Sequence, residues 1–148
     1  MGEDAAVVQM GAKDAGADAP RIGAATFFLY YADLRAAIRW YARHLGLVPV
    51  FDDGWVAILG REGTAINLGL VNGTDGSHRL TAQSDKAALI AFETPDLESW
   101  YERLSAEPEV TLHRPISVGA KGHTEMFQIL DPGGYIVEFY RWRKAADA

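Results

Sequence analysis

The chain has 148 residues, 49% of them hydrophobic and 23% charged, which is enough apolar material for one cored domain and too little charge for a disordered chain. It contains no cysteine, which excludes disulfides, thiolate metal ligands and a cysteine nucleophile, and fits an expected reducing, cytoplasmic setting. A formal charge of −6 argues against nucleic acid or an anionic membrane as partner, and the longest apolar-looking run, AATFFLYYA at 24–32, is too short to span a bilayer.

Residues 1–20 are rich in Ala, Gly and Asp without a firm period, and are expected to form a flexible N-terminal arm with no signal-peptide character. ATFFLYYA then predicts a strand. Asp33 caps a helix over LRAAIRWYARHLG, in which Leu34, Ala37, Ile38, Tyr41 and Leu45 recur at helical spacing and Gly46 marks the stop. VPVFDDG and WVAILG predict a hairpin joined at Asp52, Asp53 and Gly54, and TAINLGLV a further strand. Residues 72–86 are a polar, Gly-rich connection. After it KAALIAFE predicts a strand, Asp96 opens a helix over LESWYERLSA, and VTLHRPISV, TEMFQIL and YIVEFYRW predict three more strands. The order is βαβββ twice, with modules at about 21–72 and 86–144 of a single domain at 21–148.

Faint internal echoes support a duplicated module. Asp33-Leu34 and Asp96-Leu97 each follow an apolar strand and open a helix. Gly63 and Asn67 match Gly134 and Glu138 with the same interval. The last strand raises its own question, because DPGGYIVEFY places the carboxylate of Glu138 inside an apolar run. Such a charge must face solvent, find a partner or line a working cavity, since burying it alone costs several kcal/mol.

YYADLRAAIRWYARHLGL and ILDPGGYIVEFYRW, with AFETPDLESWYERL between them, resemble the vicinal oxygen chelate superfamily of glyoxalase I, extradiol dioxygenases and bleomycin- and fosfomycin-resistance proteins. The resemblance covers roughly residues 21–142. It implies an α+β fold, two βαβββ modules forming a pseudo-twofold sheet cup of the glyoxalase/bleomycin-resistance type, and a homodimer. Family enzymes commonly hold a divalent metal in the cup, on the first and last strands of each module. Carried over by position, those sites are Thr26, Asn67, Leu89 and Glu138, of which only Glu138 keeps a family ligand type. The resemblance therefore implies a small-molecule binder with a degraded metal site and no cofactor, which sequesters or modifies an organic compound. The alternative is a metal-dependent lyase or dioxygenase with shifted ligands, such as His123 and Glu125 with Glu138. A third reading has the cup simply filled.

Strand alternation puts Thr26, Phe28 and Tyr30 on one face of the first strand, and Leu89, Ala91 and Glu93 on the matching face of the fifth. Ile136, Glu138 and Tyr140 share a face of the last. The expected ligand-binding set is thus Thr26, Phe28, Tyr30, Asn67, Leu89, Glu93 and Tyr140, with Glu138 and His123 as candidate catalytic groups. In GHTEMF, His123 and Glu125 share strand parity, so His123 can serve as general base if both face the cup. His44, His78 and His113 are read as structural or solvated, Trp40-Tyr41 as a helix anchor, and Trp100 as a packing or dimer contact.

Overall fold

The computed structural model describes residues 19–75, 86 and 88–144; almost all of the expected arm, and His78, lie outside them. Two βαβββ modules follow one another. The first runs β1 (Phe27–Tyr31), α1 (Leu34–Leu45), β2 (Val48–Asp52), β3 (Val56–Gly60) and β4 (Leu68–Asn72). The second runs β5 (Leu89–Glu93), α2 (Leu97–Ser105), β6 (Thr111–Gly119), β7 (Thr124–Leu130) and β8 (Ile136–Trp142). The sheets are ordered β1-β4-β3-β2 and β5-β8-β7-β6, and in each the first and last strands of the module pair parallel while the others pair antiparallel.

The helix boundaries follow from local chemistry. The Asp33 carboxylate accepts from the Ala36 N–H at 3.0 Å, satisfying one orphan donor of the first turn, and Gly46 ends α1 in the left-handed region (φ 70°). All five residues of the expected apolar stripe are buried, and Trp40 and His44 widen it. In α2 the capping differs, since Asp96 makes no side-chain cap and Thr94 Oγ1 instead accepts from the Asp96 N–H at 3.0 Å.

Alternation then divides each sheet. Leu29 and Tyr31 of β1, Ala57 and Leu59 of β3, Leu68 and Leu70 of β4, Phe127 and Ile129 of β7, and Val137 and Phe139 of β8 join the helices in one core spanning both modules. Within it Trp100 stacks on Phe139 (centroids 4.9 Å apart), Phe139 stacks on Phe127 (5.2 Å), and Tyr101 meets Phe127 edge-on. Trp100 is therefore a packing residue.

The modules are fastened by the turn between β7 and β8. Asp131 Oδ2 accepts from the hydroxyls of Tyr31 (2.6 Å) and Tyr41 (2.7 Å) of the first module, and its Oδ1 accepts from the N–H groups of Gly133 and Tyr135 (2.9 Å each). Tyr135 adds a second tie, its hydroxyl lying 3.1 Å from the donating N–H of Tyr30. The two glycines of DPGG serve different needs. Gly134 adopts φ 83°, whereas a Cβ on Gly133 would lie 2.8 Å from the buried ring of Tyr31.

Candidate functional site

The sheet faces turned away from the helices carry the candidate residues. On β8 these are Ile136, Glu138 and Tyr140, the neighbours of buried Val137 and Phe139. Register places Glu138 between Ala91 of β5 and Gln128 of β7, and Gln128 Nε2 donates to Glu138 Oε1 at 2.9 Å. A cavity of about 330 Å³ opens over them, lined also by Met126, Thr124, Tyr140 and Arg114. The carboxylate of DPGGYIVEFY thus lies half-buried on the open face, with a neutral amide as its side-chain partner.

The remaining expected residues do not converge on that cavity within one chain. Phe28, Asn67 and Leu89 line a separate, mostly apolar cavity of about 450 Å³ between β1 and β5. Glu93 and Tyr140 border a third, of about 470 Å³, with Trp100, Arg61 and Leu47. Tyr30 lines a crevice with Lys86 and Pro132, and half-buried Thr26, just ahead of β1, lines none of these spaces. The Phe28 ring occupies the space beside Gly69, where a Cβ would come within 2.3 Å of it.

Two expectations are corrected by register. The interval from a glycine matches Asn67 to Glu138, yet Phe28 pairs with Gly69 and Ala91 pairs with Glu138. Phe28 and Ala91 each stand five residues before their helix-capping Asp, so Gly69 is the position equivalent to Glu138. The reason is the turn before β4. There Thr64 Oγ1 donates to Arg61 O and accepts from the Ile66 N–H, delaying strand entry to Leu68. The second correction concerns His123 and Glu125. Glu125 lies opposite Arg141, whose guanidinium also pairs with Glu98 of α2, so it faces the helix side. His123 is exposed in the turn before β7, with its backbone, not its ring, paired to Ala120 and Arg143. Neither group shares the face of Glu138.

Gln128, Thr124, Met126 and Arg114 were not singled out in the sequence. The available signal was a polar residue, Gln128, inside the apolar run TEMFQIL, the same anomaly that drew attention to Glu138.

Comparison with known proteins agrees with this architecture. A family model, the Glyoxalase/Bleomycin resistance protein/Dioxygenase superfamily, matches residues 21–139, and the chain belongs to that superfamily. The fold is similar to a crystal structure of a glyoxalase/bleomycin resistance protein/dioxygenase from Nocardioides, with a TM-score of 0.70, 21% identity, and 86% of this chain and 87% of that chain covered. It is also similar to a lactoylglutathione lyase from Agrobacterium tumefaciens (TM-score 0.64, 22% identity, 83% and 96% covered). A bleomycin resistance determinant encoded on the transposon Tn5 is a further structural relative (0.63, 18% identity, 83% and 100% covered). At these identities the likeness is one of fold. No curated protein matches the sequence. Among the described residues no helix is long and apolar enough to cross a membrane.

Proposed function

We propose that this protein binds a small organic molecule on the open face of the second sheet, without a metal, and sequesters it there in a cytoplasmic setting. The observation that carries the reading is the Glu138–Gln128 pair at the floor of its cavity. A carboxylate whose side-chain partner is a neutral amide keeps acceptor capacity for a cationic or hydrogen-bond-donating group of a ligand. Met126 and Tyr140 supply apolar contact beside it, and Arg114 offers a cation.

A catalytic metal of the kind the fold family implies normally takes three good His or carboxylate ligands. This face offers Glu138 with neutral Gln128 and Thr124, while Ala91, Gly69 and Phe28 in the equivalent row carry no ligand atom. The donor set does not fit such an ion.

Replacing Glu138 with Gln keeps the shape and removes the charge. Stability is expected to change by no more than about 1 kcal/mol, and affinity for an amine-bearing ligand to fall by roughly 1.5–3 kcal/mol, the scale of a charge-assisted hydrogen bond. A fragment screen by calorimetry on both forms, with melting curves alongside, reads the two effects. Unchanged binding with a displaced melting temperature would make Glu138 a structural residue.

The same reading includes a homodimer. The open face of the first sheet leaves Phe28 44%, Val50 67% and Phe51 50% exposed, and Trp142 of the second sheet is 61% exposed. Apolar surface of this extent calls for a cover, and a second copy would bring the scattered candidate residues of both modules toward one enclosure. Light scattering at micromolar concentration is expected to give twice the chain mass; a monomer there removes this part of the proposal.

A further inference from the structure

Far from the open faces, where α1 meets the connection between α2 and β6, a different set of groups comes together. His44, near the end of α1, is 2% exposed and belongs to the buried face of its helix. Its ring meets Trp40 edge-on, with centroids 5.5 Å apart. Its Nε2 is fully buried and makes no hydrogen bond, although Glu109 Oε1 lies only 2.8 Å away. The contact is close but off the line that an N–H would need. A buried imidazole nitrogen and a carboxylate oxygen held that close, off the line of a hydrogen bond, are placed as two ligands of one cation are placed.

Glu107 is the third member. One ligand atom each from His44, Glu107 and Glu109 lie within 4.8 Å of one another, and they are the one such group of potential ligands among the described residues. With metal–ligand bonds of about 2.0–2.2 Å, the 2.8 Å nitrogen–oxygen separation subtends roughly 85° at a shared ion, a cis angle of five- or six-coordinate geometry. The widest separation closes by rotation of the two glutamates, neither of which is buried. Beside them runs a groove of about 820 Å³ lined by His44, Glu109, Thr111 and Arg43, with room for water to complete the coordination.

We propose that His44, Glu107 and Glu109 form a binding site for a divalent transition-metal ion, for which Zn²⁺ is the probe, water or a bidentate carboxylate raising its coordination above four. The ion would join the two modules, since His44 belongs to the first and both glutamates to the second. Its role is separate from ligand binding at Glu138. Arg43, whose Nε lies 3.2 Å from the same Glu109 oxygen, competes with the ion and must turn aside; its side chain is 69% exposed and free to do so.

The test is a titration of the whole protein with Zn²⁺ against a chromophoric chelator, with melting curves recorded at each ion concentration. One saturable ion per chain is expected, with a melting temperature that climbs with Zn²⁺ and not with Mg²⁺. His44→Ala alone is a poor probe, because a buried residue is lost with the ligand. The double variant Glu107→Gln/Glu109→Gln keeps the buried ring, and its affinity for Zn²⁺ should fall roughly tenfold or more while the thermal shift disappears. Glu138→Gln should retain both. Absence of stoichiometric binding, binding that survives the double variant, or binding lost in Glu138→Gln would each overturn the proposal, the last by moving the ion to the open face.

Discussion

Asp131→Ala is expected to lower stability by about 3–5 kcal/mol, the scale on which removing one member of a buried charged network acts. The carboxylate takes four donors, two tyrosine hydroxyls and two backbone N–H groups, and its loss leaves both N–H groups without an acceptor and the two hydroxyls, 3.5 Å apart, with only each other. Burial pushes the Asp131 carboxyl above its usual range even against those four donors, and pushes the hydroxyls of Tyr31 and Tyr41 well above theirs, so both phenols stay protonated and donate. Asp131→Asn should cost roughly half as much, because its amide keeps one acceptor oxygen but turns a donor toward a donor. Urea denaturation of the three forms gives the comparison. A loss below about 1 kcal/mol for the alanine variant would mean that the turn rebuilds its hydrogen bonds elsewhere.

Phe139→Ala should be comparably severe, at about 3–5 kcal/mol. The ring is 2% exposed, sandwiched between Trp100 and Phe127, and touched by Phe92 from β5. Truncation removes the centre of a stack that joins α2 to three strands, and the stiff rings around it cannot collapse into the space. Phe139→Leu, which fills most of the volume, should recover the greater part of the loss. The contrast with Glu138, one residue away and expected to be nearly neutral for folding, is a direct test of which side of β8 faces the core. Similar melting shifts for the two positions would mean that the strand does not alternate as described.

Much of this arrangement was legible in the sequence, because periodicity is local. The run LRAAIRWYARHL announces its buried face at helical spacing, Asp33 and Gly46 announce its ends, and the alternation of YIVEFY announces which side of β8 carries the charge. What was not legible depends on pairs of strands. The match of Asn67 to Glu138 failed because two glycine turns of similar appearance enter their strands after different numbers of residues. The shared parity expected of His123 and Glu125 does not arise, because His123 caps the turn before β7 in a helical backbone conformation, and for Glu125 only the neighbouring Arg141 and the helix beyond it say which face it takes. The separation of Phe28, Asn67 and Leu89 from Glu138 is a matter of how two modules sit together, which no single stretch encodes. His44 looked like an ordinary helix-end histidine, since Glu107 and Glu109 lie in another module.

The fastening at Asp131 is used once, although the module that carries it is duplicated. Thr94 and Leu104 occupy in the second module the places of Tyr31 and Tyr41, judged by their spacing from the helix-capping Asp. Arg61, the first residue after β3, stands where Asp131 follows β7. No carboxylate gathers those three. Arg61 instead lies over the Trp100 ring at 5.9 Å, and the space that the Asp131 network fills on one side is a cavity of about 470 Å³ on the other. A junction filled by a polar network at one end and left open at the other is lopsided in what it can accommodate. Two halves of common design are thereby inequivalent, one supplying the lock and the other the space.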